Sequence, residues 1–248
     1  MQLSNNTVLI TGGGSGIGYE TAKLFAERGN QVIICGRNAI TLNEAANTLK
    51  NVIAIPCDIN KEEDVNRLVE RLNADHPDLN ILFNNAGLAH LYFLGEGVDA
   101  HQKATQEMST NFLSAVRLTE QVLPLLKAQP EAAVINNTSA LAFAPGSLAP
   151  TYSASKAALH SYSQTLRLAL SQGTSIKVFE VMPPLVDTNF SKDVPGDDRM
   201  LPSEVAEDIL KGLANDVYEM HVGFTETLYN LYLQSPQKAF FAVNGINA

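Results

Sequence analysis

The chain has 248 residues, 45% hydrophobic and 17% charged, with a formal net charge of -9. That length suits one large α/β domain with a sizeable core, and the composition excludes a disordered chain. The acidic balance and the lack of a basic run exclude the electrostatic footprint of a nucleic-acid or anionic-membrane binder.

The first residues show no charged segment followed by an apolar one, and no apolar run is long enough to span a bilayer. The expectation is a cytoplasmic protein. Residues 7–10 (TVLI) read as a short buried strand that ends in a glycine-rich turn. A helix follows over 17–28, and Gly29-Asn30 stops it. Strand and helix signals then alternate. Strands are expected at 31–35, 52–55, 81–83, 133–136 and 177–181, and helices at 40–50 and 62–74, with a long mostly helical segment over 100–127. Short β-rich runs separated by helices predict a Rossmann-like, doubly wound, mostly parallel sheet with helices on both faces, in a single domain spanning 1–248. Cys35 and Cys57 close two of the apolar runs without metal-ligand spacing. They read as reduced core residues, and no metal site is expected.

Residues 151–170 (TYSASKAALHSYSQTLRLAL) read as a helix, free of Gly and Pro. Tyr152 and Lys156 stand four apart and share one face. A cation beside a phenol favours the phenolate, so a depressed Tyr152 pKa and a proton-transfer role are expected. His90 and His160 read as loop and helix-surface residues, since neither has metal spacing around it. Residues 183–202 are irregular, and a helix over 203–214 is expected with Ser203 as its cap. The aromatic and apolar series from Phe224 to Phe241 suits core or subunit contact.

The turn Thr11–Gly18 reads TGGGSGIG between a strand and a helix. Gly12, Gly14, Gly16 and Gly18 allow a tight turn and a close backbone approach to a pyrophosphate. Ser15 and Ile17 belong to the same turn, where the helix start offers free N–H groups. The end of the second strand carries Cys35-Gly36-Arg37-Asn38, with no acid for a ribose 2′-hydroxyl. Arg37 suits a 2′-phosphate instead. NADP(H) is therefore favoured, with NAD(H) as the alternative.

With these residues in view, the sequence resembles the short-chain dehydrogenase/reductase family over about residues 7–188. The glycine turn, Asn84-Asn85-Ala86-Gly87 and Tyr152-Ser153-Ala154-Ser155-Lys156 match its motifs. Within the family, stretches such as NNTVLITGG, VIICGR and PPLVDT look most like the DltE-type bacterial oxidoreductases. The resemblance implies hydride transfer between nicotinamide and a carbonyl or secondary alcohol. Tyr152 would be the general acid/base and Lys156 would lower its pKa and bind the ribose. Ser139 would hold the substrate oxygen, and Asn111 a water leading to Lys156. Asp58 and Ile59 would hold the adenine. Asn85, Ala86, Gly87, Pro183, Val186 and Thr188 would complete the cofactor site. Ser139, Leu141, Tyr152, Leu185 and Phe190 would meet a mostly apolar substrate. The cofactor half would run over about 1–138 and the catalytic and substrate part over 139–248. Pro184 departs from the family's Pro-Gly, and the ending AVNGINA departs from its usual terminus. A homodimer or homotetramer is expected, through the Tyr152 and Asn111 helices. A non-catalytic dinucleotide-binding regulator is the alternative reading, and epimerisation or dehydration on the same fold a third.

Overall fold

The computed structural model describes residues 1–246. Seven strands form one sheet: β1 (Thr7–Thr11), β2 (Gln31–Gly36), β3 (Val52–Pro56), β4 (Leu79–Asn84), β5 (Ala132–Asn137), β6 (Ile176–Met182) and β7 (Glu219–His221). Their order is β3-β2-β1-β4-β5-β6-β7, and every neighbouring pair is parallel. Strands β1, β5 and β6 run almost wholly buried, as strands covered on both faces must.

Alternation along each strand feeds two cores. Val8, Ile10, Ile34, Phe83, Ile135, Phe179 and Val181 face α1 (Gly16–Glu27), α2 (Ala39–Thr48) and α7 (Pro202–Ala214). Leu9, Ile33, Leu82, Val134 and Val178 face α3 (Glu62–Asp75), α5 (Ser114–Lys127) and α6 (Pro150–Ser171). The sheet is thus doubly wound. Its strand order reverses between β1 and β4, where a crevice opens at the carboxyl ends.

At four places the structure refines or extends the sequence expectations. The segment expected to be helical over 100–127 is α4 (Ala100–Met108) and α5, joined by a π-helical turn at Ser109–Leu113 that carries Asn111. The helix expected from Ser203 starts at Pro202, because Pro suits the first helical position. Leu201 is its cap residue, and the Glu204 carboxylate accepts the Leu201 N–H at 2.9 Å. Strand β7 extends the sheet beyond β6. The aromatic tail forms α8 (Phe224–Gln234) and α9 (Pro236–Val243). Leu228 and Ala239 of this tail pack on Ala140 and Ala144, while the last two residues of the AVNGINA ending lie outside the described residues.

A buried polar chain ties the middle of the sheet to two helices. Asn84 Nδ2 donates to Thr119 Oγ1 (3.0 Å) and Asn136 Oδ1 (2.9 Å), and Asn136 Nδ2 donates to Ser163 Oγ (2.9 Å). Buried amides without partners cost free energy, so this chain fixes β4, β5, α5 and α6 together. Asn136→Ala is expected to remove about 2 kcal/mol of stability, read as a lower urea midpoint by circular dichroism. An unchanged midpoint would refute the tie.

Candidate functional site

The glycine turn is held by the strand that neighbours it. Thr11 Oγ1 accepts the N–H groups of Asn85 (2.9 Å) and Ala86 (3.0 Å), while Asn85 Nδ2 donates to Thr11 O (3.0 Å) and Gly12 O (3.3 Å). Asn137 Nδ2 then donates to Asn85 Oδ1 at 2.9 Å. These bonds close β1, β4 and β5 at their carboxyl ends. They leave no room for side chains: a Cβ at Gly18 would lie 2.5 Å from both Asn85 Nδ2 and Gly12 O. Gly16 has φ +55°, a conformation that favours glycine. Ser15 starts α1 without a side-chain cap, and no acid lies in its first turn, so the helix start keeps N–H groups free for an anion.

Helix α6 brings Tyr152 and Lys156 to the ends of β4 and β5. Lys156 is buried, and its ammonium donates to the Asn137 carbonyl oxygen at 2.7 Å. Burial lowers its pKa to about 8, against the raising field of Glu180. The ammonium stands 5.6 Å from the centroid of the Tyr152 ring. Tyr152 corrects the expectation of a depressed pKa. Burial raises it to about 12; the Ser139 side chain works against that rise and the charge of Glu107 adds to it. The Lys156 proton donors turn towards Asn137, and desolvation of the phenolate is the larger effect.

Ser139 follows β5 in extended backbone and caps the short turn Ala140–Ala142, its Oγ accepting the Leu141 N–H at 3.1 Å. Leu141 turns towards Gly146. Asn111, buried in the π-helical turn, clasps Leu88: its Oδ1 accepts the Leu88 N–H (2.7 Å) and its Nδ2 donates to Leu88 O (2.8 Å). The same Nδ2 donates to Ser155 Oγ at 2.8 Å. A Cβ at Gly87 would lie 3.6 Å from Asn111 Oδ1, 3.7 Å from Phe190 and 3.9 Å from Lys156 Nζ. Asn111, Lys156 and Phe190 therefore flank one point beside the Asn84–Gly87 turn.

The loop after β6 closes over this point. Pro183 O accepts the Ala140 N–H (3.1 Å), and Val186 bridges to Met200. Arg199 ties the loop internally, donating to Ser191 O (2.9 Å) and Gly196 O (3.1 Å). Thr188 reaches the glycine turn, where a Cβ on Gly16 would meet its methyl at 3.1 Å. Phe190 tilts towards Tyr152 with ring centroids 6.0 Å apart. Leu185 packs within the loop, near Gly196.

The remaining residues stand along the rim. Arg37 is exposed after β2, and Asn38 caps α2, accepting the N–H groups of Ile40 (3.0 Å) and Thr41 (3.3 Å). Cys57 N–H donates to Gly36 O at 3.0 Å, which brings Asp58 and buried Ile59 beside the end of β2. A groove lined by Gly14, Ser15, Tyr19, Thr41 and Glu44 runs between the glycine turn and α2. Thr11, the first residue of the glycine turn, has a role its motif did not give: it is the acceptor that holds the Asn85 turn. Two buried acids here escaped the sequence reading. Glu107 is fully buried and accepts the His90 N–H at 2.7 Å. Glu180 binds His160, which is a partner of the sheet rather than a plain surface residue. A polar residue at an inward position of a helix or strand is the one signal that pointed to them. Among the described residues no cluster of His, Cys, Asp or Glu suits a metal ion, and no helix is long and apolar enough to cross a membrane.

Comparison with known proteins agrees with this layout. The family model for short chain dehydrogenase matches residues 6–199. The chain is 44% identical over 192 residues to the oxidoreductase DltE of Bacillus subtilis (strain 168), covering 77% of this chain and 76% of the relative. A short-chain dehydrogenase from Burkholderia cenocepacia J2315, solved in complex with NADP, superposes with TM-score 0.86 at 27% identity over 98% of both chains. A 3-ketoacyl-(acyl-carrier-protein) reductase from Brucella melitensis, complexed with NADH, gives TM-score 0.77 at 27% identity over 85% of this chain and 91% of the other. With the matching model spanning most of the sequence and the glycine turn, the Asn84–Gly87 turn and the Tyr152–Lys156 pair meeting at one crevice, the chain belongs to the short-chain dehydrogenase/reductase family of oxidoreductases.

Proposed function

We propose that the protein is an NADP(H)-dependent oxidoreductase that interconverts a carbonyl and a secondary alcohol, with Tyr152 as general acid/base. The observation that carries this reading is the meeting of Tyr152, Lys156, Ser139 and Asn111 beside the Asn84–Gly87 turn, next to an uncapped helix start. The glycine cradle fits a dinucleotide: Gly12 and Gly16 have positive φ, which shapes a tight turn, and the uncapped start of α1 leaves N–H groups free for a pyrophosphate. The residues that would hold the cofactor are Gly12, Gly14, Ser15, Gly16, Ile17 and Gly18 at the phosphates. Asp58 and Ile59 take the adenine side. Asn85, Ala86, Gly87, Tyr152, Lys156, Pro183, Val186 and Thr188 take the nicotinamide side.

The bound nicotinamide would supply or accept the hydride at the substrate carbon. Tyr152 Oη donates its proton to the carbonyl oxygen in reduction and takes it back in oxidation. A pKa raised to about 12 keeps Tyr152 protonated at neutral pH, which readies it as the acid for reduction. The Lys156 charge stabilises the phenolate left behind. Ser139 Oγ donates to the same substrate oxygen and supports charge developing there. Asn111 Oδ1 and Lys156 Nζ flank the point beside Gly87, where they hold a water that links Lys156 to solvent. Phe190, Leu185 and Leu141 give the substrate an apolar wall, and the loop carrying Phe190 closes over it.

Arg37, exposed and with no acid beside it in the turn, receives the 2′-phosphate and sets the preference for NADP(H) over NAD(H). The chain works in the cytoplasm as a homodimer or homotetramer, through the faces of the π-helical turn and of α6 that expose Leu113 and Leu168.

Tyr152→Phe is expected to lower kcat with a carbonyl substrate and NADPH by about a hundredfold or more, with NADPH affinity kept. A near-normal kcat in that variant sinks the role. Arg37→Ala is expected to weaken NADPH about tenfold and leave NADH unchanged, read by cofactor fluorescence. Equal losses for both would remove Arg37 from the 2′-phosphate. Light scattering is expected to give a dimer or tetramer, and a monomer mass would refute the interface.

A further inference from the structure

Residues 183–201 run between β6 and α7 with no strand or helix of their own. A connection of this length without secondary structure is either mobile or devoted to a site. This one is tied at its base and again at its tip. At the base, the Asp187 N–H donates to Met200 O (2.9 Å) and the Met200 N–H to Leu185 O (3.0 Å). At the tip, one side chain meets three backbone carbonyls. Arg199 donates from Nη1 to Ser191 O (2.9 Å), from Nε to Gly196 O (3.1 Å) and from Nη2 to Val194 O. A planar guanidinium offers donors in fixed directions, which a lysine ammonium does not.

The contacts of Arg199 run on to the site through Ser191. Ser191 is buried, and Arg199 Nη1 also lies 3.4 Å from its Oγ. Ser191 Oγ donates to Val186 O and lies 3.3 Å from Thr188 Oγ1. The Ser191 N–H donates to Thr188 O at 3.1 Å. Thr188 and Phe190 therefore stand on a turn that is fixed at both ends. From it the Thr188 methyl reaches the glycine turn at Gly16, and Phe190 reaches Gly87 and the Tyr152 ring. A continuous line of contacts thus joins Arg199 to both walls of the crevice.

We propose that Arg199 is a positioning residue: with Ser191 it clasps the loop into the shape that presents Thr188 to the cofactor and Phe190 to the substrate, so that ordering of the loop precedes binding. The inference deepens the proposed function and rests on it for the contacts of Thr188 and Phe190. Every tie of the clasp lies within the loop, so the loop holds its shape by itself. A loop that must be ordered at the moment of binding weakens affinity, because few molecules are competent beforehand. The clasp removes that loss. The other charges of the loop work against order: Asp187, Asp193, Asp197 and Asp198 outnumber Lys192 and repel one another.

Two measurements on the full chain test the clasp: the rate at which trypsin cuts after the exposed Lys192, and NADPH affinity by fluorescence. Arg199→Ala is expected to be cut there about tenfold faster than the wild type, with its thermal midpoint by circular dichroism kept. Saturating NADPH is expected to restore protection. NADPH affinity is expected to fall about tenfold in Arg199→Ala and to fall in Thr188→Ala, with the double variant no weaker than the weaker single one, because residues that act as a unit are not additive. Unchanged cleavage in Arg199→Ala overturns the clasp. Faster cleavage with unchanged NADPH affinity leaves Arg199 a structural tie only and overturns its positioning role. Losses that multiply in the double variant, or no loss in Thr188→Ala, overturn that role as well. If Arg199→Ala does not fold, Ser191→Ala, which removes the middle link, takes its place with the same expectations. Failure of the wild type to bind NADPH overturns the proposed function and the positioning role with it. The cleavage rates need no ligand and still decide the clasp, so the two failures are told apart.

Discussion

The bonds between Thr11 and the Asn85 turn are the constraint on which the site depends. They join the carboxyl ends of β1 and β4 where the strand order reverses, the one place in this sheet where neighbouring connections leave in opposite directions. Asn85 spends its amide on the Thr11 and Gly12 carbonyls and its oxygen on Asn137. Its side chain acts on the shape of the glycine turn, and the backbone of the turn remains for a ligand. The clash that any side chain at Gly18 would meet is a consequence of this lock.

Burial is the second constraint, and it works against every charge near α6. It raises the Tyr152 pKa and lowers that of Lys156. Both shifts favour the uncharged forms, which keeps Tyr152 a proton donor and lets Lys156 lose its charge above about pH 8. Glu180 is fully buried on a strand whose other inward residues are apolar, and it is held there by His160 and Thr138.

Much of the fold was legible because buried parallel strands are short apolar runs and the helices between them carry plain stop signals. The glycine turn and the Asn84–Gly87 turn were legible for a different reason: their backbone geometry demands particular residues. Other features left no such mark. Strand β7 is three residues long, too short for alternation to show. The π-helical turn at Ser109–Leu113 keeps the hydrophobic pattern of the helices beside it, so Asn111 reads as a residue inside one long helix. His160 reads as a surface residue because its partner lies on β6, twenty residues away. The sign of the Tyr152 shift also lay beyond the sequence. Spacing places Lys156 beside the phenol, but only packing shows that its donors turn to Asn137 and that desolvation wins. The path of residues 183–201 depends on the bonds of Arg199 and on the Val186–Met200 bridge, both formed across the loop.

The central claim is that the crevice between β1 and β4 receives a nicotinamide dinucleotide. Direct titration of the wild-type protein with NADPH and with NADH tests it most plainly. Saturable quenching or transfer with both, at least about tenfold tighter for NADPH (about 1.4 kcal/mol), is the expected result. Saturation with neither would contradict the claim.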